Sequence, residues 1–240
     1  MRQTVRSLPR AGTYFPPRSE FIMVSLKEFT TQSARPLPVI LLADVSGSME
    51  ADGKIQALNH AVREMISSFQ GEDDLRAEIQ LAVITFGDDK AKVHLPLARA
   101  SQSTWIDMPA SGSTPMGAAF QQALTMLEDR ATIPSRAYRP TLVLLSDGQP
   151  TDEWKAPLDA LLKSERGAKA FRMALAIGSD ADTSVLQAFL ANPEAKVLRA
   201  EDARQIRTVL RFVTMTVMRR SRSATPNAIA PLSPDDDLDV

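Results

Sequence analysis

Two aspartates occupy positions at which α/β proteins commonly hold ligands. Asp44 directly follows the apolar run 39–43, and Asp147 comes shortly after a second apolar run, 141–145. Such unalternating runs are typical of strands buried on both faces of a parallel sheet. Ligands of open α/β sheets bind at the carboxyl ends of these strands, so both carboxylates are candidates for a shared site.

Hydroxyl side chains accompany the two aspartates. Asp44 is followed closely by Ser46 and Ser48, and a separate loop supplies Ser113 and Thr114. All of these donors are oxygens, which hard cations such as Mg²⁺ prefer. Because Mg²⁺ needs near-octahedral coordination and keeps several waters, it leaves room for a ligand from outside the chain. A carboxylate from a partner protein would complete the coordination.

The order of these residues resembles that of a known family. Residues 44–48, Asp-Val-Ser-Gly-Ser, resemble the DxSxS motif of the metal-ion-dependent adhesion site (MIDAS) in von Willebrand factor A domains. Thr114 is similar to the threonine of that site, and Asp147, in the context Ser-Asp-Gly, is similar to its second aspartate. The resemblance covers about residues 37–220, and no element of the motif is missing.

The resemblance implies a ligand set and a mode of binding. In the family, the serines and the threonine face the metal directly, and the aspartates bind it directly or through water. The implied ligands are therefore Asp44, Ser46, Ser48, Thr114 and Asp147, with Mg²⁺ as the expected ion and Mn²⁺ or Ca²⁺ as alternatives. The implied function is non-enzymatic, without catalytic residues: a module that binds an acidic residue of a partner protein through the ion.

Residues 145–152 are especially similar to bacterial TerY-like proteins, which are linked to tellurium-resistance clusters. Members of that group are often encoded beside a protein phosphatase and a protein kinase. The resemblance therefore implies an adaptor or scaffold in a phosphorylation-linked stress response. A kinase or phosphatase encoded nearby is the expected partner.

Two alternatives from other functional classes stay open. A Mg²⁺-dependent phosphatase of the haloacid dehalogenase type would also place a nucleophilic aspartate after a buried first strand. It needs a second aspartate two residues on as acid/base, and that position holds Ser46. A subunit of an ATPase-coupled, chelatase-like assembly would use the same domain, and neighbouring genes would distinguish it.

The bulk composition disfavours several kinds of partner and site. The 240-residue chain has a formal net charge of -1, which does not favour nucleic acid or an anionic membrane as a partner. It contains no cysteine, and therefore no thiolate metal site and no cysteine nucleophile. Its apolar stretches are too short for a signal peptide or a spanning helix. We expect a cytoplasmic protein that binds neither nucleic acid nor membrane.

Strand and helix patterns alternate along the chain. They predict an α/β fold with a doubly wound, mostly parallel central sheet, one antiparallel edge strand, and helices on both faces. The predicted strands are 38–43, 78–86, 92–97, 141–145, 171–177 and 196–198. The predicted helices are 55–69, 116–129, 158–166, 184–190 and 203–218.

The termini differ in composition from the rest of the chain. Residues 1–36 are rich in Pro, Arg, Ser and Thr and predict an extended arm before the domain at 37–220. Met23 is an alternative start, which would leave residues 1–22 as a mis-annotated leader. Residues 221–240 carry prolines and a run of aspartates, which predicts a disordered acidic tail.

Several polar and aromatic residues have ordinary structural interpretations. Asp152 is expected to cap the helix that follows it rather than to act as an additional acid at the site. Trp105 and Trp154 flank the site loops in sequence and are interpreted either as a binding rim or as packing residues. The last helix is expected to present a solvated basic face to water. Its arginines are Arg204, Arg207, Arg211, Arg219, Arg220 and Arg222.

Overall fold

The computed structural model describes residues 34–72, 77–179 and 181–228. The predicted arm 1–36 and tail 221–240 lie mostly outside these described residues. Within them, two short 3-10 segments occur at Gly47–Gly53 and Ala100–Gln102. The strands are β1 Arg35–Asp44, β2 Ala77–Gly87, β3 Lys90–Arg99, β4 Thr141–Ser146, β5 Phe171–Ile177 and β6 Leu198–Ala200. The helices are α1 Lys54–Gln70, α2 Met116–Glu128, α3 Lys155–Lys163, α4 Thr183–Leu190 and α5 Ala203–Arg222.

The strands form one six-stranded sheet in the order β3-β2-β1-β4-β5-β6. Every neighbouring pair is parallel except β2 and β3, which form an antiparallel hairpin at one edge. The chain winds outward from β1 through β2 to β3, and then crosses to β4 on the other side of β1. This order confirms the predicted doubly wound sheet and places its switch point between β1 and β4.

Strand β1 is buried on both faces, as its unbroken apolar run predicts. Val39 and Leu41 belong to the hydrophobic cluster that contains the apolar faces of α1 and α5. Ile40 and Leu42 belong to the cluster on the opposite face, which contains residues of α2, α3 and α4. All four side chains are fully buried. The helices therefore cover both faces of the sheet, and β1 is its central support.

Two predicted elements are displaced along the chain for identifiable reasons. Helix α3 was predicted at 158–166 but begins at Lys155, because the Glu153 carboxylate accepts the N–H groups of Lys155 and Ala156. Strand β6 was predicted at 196–198 but lies at Leu198–Ala200, where it pairs with the end of β5. Both shifts depend on contacts that a short apolar pattern does not encode.

Among the described residues, no helix combines the length and apolarity needed to cross a bilayer.

The prediction of a fully solvated basic face on α5 is wrong for one arginine. Arg220 is buried, with 1% of its surface exposed. Its guanidinium donates to the carbonyl oxygens of Pro226 at 3.1 Å and Arg139 at 2.8 Å, and to the hydroxyl of Thr141. It also lies 3.9 Å above the ring of Phe171. Arg220 therefore fastens the end of α5 to the starts of β4 and β5.

Burial lowers the pKa of Arg220 to about 10, and the nearby charge of Arg139 acts in the same direction. The guanidinium is still charged at neutral pH, so its three acceptors depend on a charged donor. A helical spacing pattern cannot distinguish such a residue from a solvated arginine. Its neighbour Arg219, by contrast, is exposed.

We expect Arg220→Met to lower the free energy of unfolding by roughly 2–4 kcal/mol, because three acceptors, two of them in buried contacts, lose their charged donor. Urea denaturation followed by circular dichroism measures this change. Arg219→Met is the matched control and should change stability by less than about 0.5 kcal/mol. Equal effects of the two substitutions would contradict the anchoring role of Arg220.

Candidate metal centre

The predicted site residues meet at the switch point of the sheet. Strand β1 ends at Asp44, and the adjacent strand β4 ends at Ser146, directly before Asp147. Open α/β sheets form ligand crevices at such points because the connecting loops diverge to opposite faces. The structure therefore brings the two aspartates together, as their positions after apolar runs suggested.

Asp44 is fully buried and held by two hydrogen bonds. Its Oδ1 accepts the backbone N–H of Ser46 at 2.8 Å, and its Oδ2 accepts the hydroxyl of Ser146. Burial raises the pKa of Asp44 to about 6, although the hydrogen bonds from Ser146 and Ser46 act in the opposite direction. The ionised carboxylate is thus poorly compensated, and a bound cation would stabilise it.

The two serines link Asp44 to Asp147. The hydroxyl oxygens of Ser46 and Ser48 are 3.0 Å apart, and the Ser48 hydroxyl donates to Asp147 Oδ1 at 2.7 Å. The Asp147 side chain is only 1% exposed. Four of the five predicted ligands therefore belong to one hydrogen-bonded group.

Thr114, the fifth predicted ligand, is delivered by the loop before α2. Its backbone N–H donates to the Thr151 hydroxyl at 3.0 Å, and the Thr151 N–H donates to the Thr114 carbonyl at 3.0 Å. The Thr114 hydroxyl oxygen lies 3.6 Å from the position that a Cβ on Gly148 would occupy. These contacts place Thr114 beside the segment that follows Asp147.

A glycine holds the Thr114 loop against its neighbours. Gly112 has a φ of 73°, and a Cβ at this position would lie 2.3 Å from the Cα of Asp88 in the β2–β3 turn. The Gly112 carbonyl accepts the N–H of Gly47 at 3.0 Å. Only glycine satisfies both the backbone angle and the close approach. The loops after β1 and β2 are thereby tied to the loop that carries Thr114.

The expectation that Asp152 caps the helix following it is wrong. Its carboxylate oxygens accept the N–H groups of Gly117 and Ala118, each at 2.9 Å, and so cap α2. Glu153 caps α3 instead. A cap contributed from a distant part of the chain leaves no local sequence signal. Asp152 positions the helix that begins directly after the Thr114 loop.

Sequence reasoning missed Ser146, whose hydroxyl donates to Asp44, and also Lys54. Lys54, the first residue of α1, donates from Nζ to Asp147 Oδ2 at 2.8 Å. Its side chain is 18% exposed. A lysine at a helix start is usually solvated, and nothing in its spacing distinguishes it from the other lysines. Both oxygens of Asp147 are therefore occupied, one by Ser48 and one by Lys54.

The donor set fits a hard dication that also takes ligands from outside the chain. Within residues 34–72, 77–179 and 181–228, no group of three or more Asp, Glu, His or Cys side chains could hold a metal by itself. The centre offers two carboxylates and three hydroxyls, which suit Mg²⁺ with retained waters. The roles of the individual residues as ligands stay a prediction.

The two tryptophans are both partly buried. Trp105 packs against the cluster of α1 and α5, and Trp154 packs against the cluster on the opposite face. The Trp105 ring N–H donates to Asp107 at 3.0 Å. These contacts favour the interpretation as packing residues.

Comparison with known families gives a match to part of the chain. Residues 39–149 match the family model of the von Willebrand factor type A domain. The matched segment includes all five predicted ligands. The match confirms the resemblance at the level of the domain. Similarity to TerY-like proteins is a finer prediction that this match does not address.

Solved structures share the fold at low sequence identity. A von Willebrand factor type A protein from Catenulispora acidiphila is 22% identical, with a TM-score of 0.60, over 77% of this chain and 43% of that chain. The pilus adhesin SpaC from Lactobacillus rhamnosus GG is 17% identical, with a TM-score of 0.63, over 78% and 30%. Proximal thread matrix protein 1 from the mussel byssus is 18% identical, with a TM-score of 0.60, over 77% and 48%.

The chain spans less than half the length of each of these three solved chains. At these identities the likeness shows the fold alone. Another structure of the mussel protein, 16% identical with a TM-score of 0.57, has a zinc-occupied MIDAS motif. No curated protein matches the chain.

We expect Asp44→Asn to stabilise the protein at pH 7 in EDTA. The pKa of Asp44 is raised from 3.8 to about 6, so its protonated form stabilises the fold at low pH, and this stabilisation is lost as pH rises through about 6. An asparagine stays neutral and can keep both hydrogen bonds. The free energy of unfolding at pH 7 should exceed that of wild type by up to about 3 kcal/mol.

Urea unfolding in EDTA at pH 4 and pH 7 measures this difference. The gap between variant and wild type should be small at pH 4, where Asp44 is protonated in the folded protein. A variant that is less stable than wild type by the same amount at both pH values would contradict this account of Asp44.

We expect Asp152→Ala to speed amide hydrogen exchange at Gly117 and Ala118 and to lower stability by about 1–2 kcal/mol, because α2 loses its cap. Exchange measured by nuclear magnetic resonance reports each amide separately. Glu153→Ala is the matched control and should instead speed exchange at Lys155 and Ala156. Faster exchange at the start of α3 in Asp152→Ala would contradict this account and show that Asp152 caps the helix that follows it.

Proposed function

We propose that this chain is a non-enzymatic binding module that holds one divalent cation and uses it to bind a carboxylate of a partner protein. Asp44, Ser46, Ser48, Thr114 and Asp147 would hold the ion. The ion supplies a Lewis-acidic position to which a carboxylate oxygen from outside the chain can bind. The protein's residues orient that position and leave part of it open to the partner.

The observation that carries this proposal is that Ser46, Ser48 and Asp147 form one hydrogen-bonded group with the buried Asp44, beside the loop that carries Thr114. Burial raises the pKa of Asp44, so the fold maintains a carboxylate whose charged form is poorly compensated by the protein alone. Such an arrangement is unfavourable for stability and is typical of functional sites. A dication would provide the missing compensation.

The chemistry of the donors favours Mg²⁺, with Mn²⁺ and Ca²⁺ as alternatives. All five side chains offer oxygen only, and none offers the imidazole or thiolate that zinc sites usually contain. Zinc in the MIDAS motif of the mussel protein supports the binding of a dication by a motif of this type. The identity of the resident ion is therefore best tested by competition.

The proposed partner is a protein that presents an acidic side chain. The TerY-like resemblance of residues 145–152 favours a kinase or phosphatase encoded nearby, and an adaptor role in a tellurium-resistance or other stress response. The proposed location is the cytoplasm. Nucleic acid and membrane are not proposed as partners, since the formal net charge is only -1.

The arrangement around Asp44 argues against the phosphatase alternative. A haloacid dehalogenase enzyme needs an acid/base aspartate two residues after its nucleophile, and here Ser46 occupies that position. A serine hydroxyl cannot replace the carboxylic acid that this acid/base role requires. Asp44 itself is fully buried, which disfavours attack on a phosphate ester.

We expect Thr114→Ala to weaken Mg²⁺ binding at least about tenfold, the loss typical of removing one supporting group from a metal site. Isothermal titration calorimetry on the full chain measures the affinity. A pull-down in Mg²⁺ and in EDTA then tests partner binding. A partner should be retained only by wild type in Mg²⁺.

Thr125→Ala is the matched control, because Thr125 is exposed near the far end of α2 and its hydroxyl bonds only within the helix. This variant should bind Mg²⁺ and the partner as wild type does. A partner retained equally with Mg²⁺, with EDTA and by Thr114→Ala would contradict recognition through the metal. Absence of Mg²⁺, Mn²⁺ and Ca²⁺ binding by wild type would contradict the metal centre itself.

A further inference from the structure

Lys54 places a fixed positive charge inside the proposed metal centre. Its ammonium lies 2.8 Å from Asp147 Oδ2, and the Asp147 side chain is 1% exposed. The lysine enters from the first position of α1, directly after Gly53, which has a φ of 70°. The contact is therefore built by the turn between the motif 44–48 and helix α1.

Gly178, at the end of β5, also affects the position of the Lys54 side chain. A Cβ on Gly178, at the end of β5, would lie 3.3 Å from Lys54 Nζ and 3.5 Å from its Cε. The absence of a side chain at Gly178 leaves room for the lysine to extend across the end of β5 to Asp147. The lysine side chain thus passes close to Gly178, and the ion pair with Asp147 holds its ammonium.

This lysine changes the charge of the centre. Two ionised aspartates would balance the charge of a dication, and without Lys54 the occupied centre would be neutral. With Lys54 present, the occupied centre carries one net positive charge. A positive centre repels the bound cation and attracts an anionic ligand, and both effects are strong at short range in a partly buried site.

We propose that Lys54 lowers the affinity of the centre for its dication and raises its affinity for an external carboxylate. Metal and partner would therefore bind cooperatively. This inference rests on the proposed function and adds a residue that sets the preference of the site for an anionic ligand. Lys54 competes with the cation for Asp147 while the partner is absent. Once the partner's carboxylate is present, the same charge is compensated, and the two ligands stabilise one another.

The test compares Lys54→Met with wild type by titrating the full chain with Mg²⁺, first without and then with saturating acetate as the carboxylate probe. Methionine keeps an unbranched stem and removes the charge. We expect Lys54→Met to bind Mg²⁺ at least about tenfold more tightly than wild type in the absence of acetate. Acetate should tighten Mg²⁺ binding in wild type and have a smaller effect in Lys54→Met.

Two further variants control for charge and for folding. Lys163→Met removes an exposed lysine paired with Asp159, and should bind Mg²⁺ as wild type does. Lys54→Arg keeps the positive charge and should also stay close to wild type. Melting temperatures add a second readout. Lys54→Met should melt below wild type in EDTA, because Asp147 loses its ion pair, and the deficit should shrink or reverse in saturating Mg²⁺.

The outcomes separate this inference from the proposed function. Equal or weaker Mg²⁺ binding by Lys54→Met, with normal binding by wild type, would overturn the inference and leave the metal centre intact. An acetate effect that is unchanged in Lys54→Met would overturn the role of Lys54 in selecting the anion. Failure of every variant, including wild type, to bind Mg²⁺ would overturn the proposed function, and this inference with it.

Discussion

The burial of Asp44 at the end of the central strand is the constraint on which the site depends. A strand covered by helices on both faces excludes water from its last residue, and the ionised form of a carboxylate there is disfavoured. The hydroxyl of Ser146 and the N–H of Ser46 compensate this charge only in part, since the pKa is still raised to about 6. The part of the fold that the structure describes therefore compensates the charged form of Asp44 only partly, and the proposed cation would complete this compensation.

Three loops must keep their positions for the remaining oxygens to reach this carboxylate. Gly112 permits the close approach of the β2–β3 turn, and Thr151 holds the backbone of Thr114 from both sides. Asp152 also fixes the end of this loop, because it caps α2. The residues that touch these loops therefore matter as much for geometry as the oxygen donors do, because a preorganised site loses little entropy when it binds.

The positive charge of Lys54 is a feature of this centre that the five oxygen donors alone do not describe. Lys54 and Ser48 each donate a hydrogen bond to one oxygen of Asp147. A cation that binds this carboxylate must therefore compete with the Lys54 ammonium. If the centre binds a cation as proposed, the Lys54 ammonium would favour a negatively charged partner and weaken the binding of the metal alone. This property is consistent with a binding module whose occupancy depends on its partner.

The α/β class, the antiparallel edge strand, the central buried strand and the five candidate ligands could be predicted from the sequence, because each depends on local periodicity or on a short motif. The sequence did not determine the displaced start of α3 or the pairing of β6. It also did not reveal the burial of Arg220, the cap that Asp152 provides for α2, or the ion pair of Lys54 with Asp147. The start of α3 depends on the nearby Glu153 carboxylate, which an apolar pattern does not register. Only the tertiary structure decided the other features, since they join residues far apart in the chain, and local spacing does not indicate which distant carbonyl, amide or carboxylate a side chain will contact.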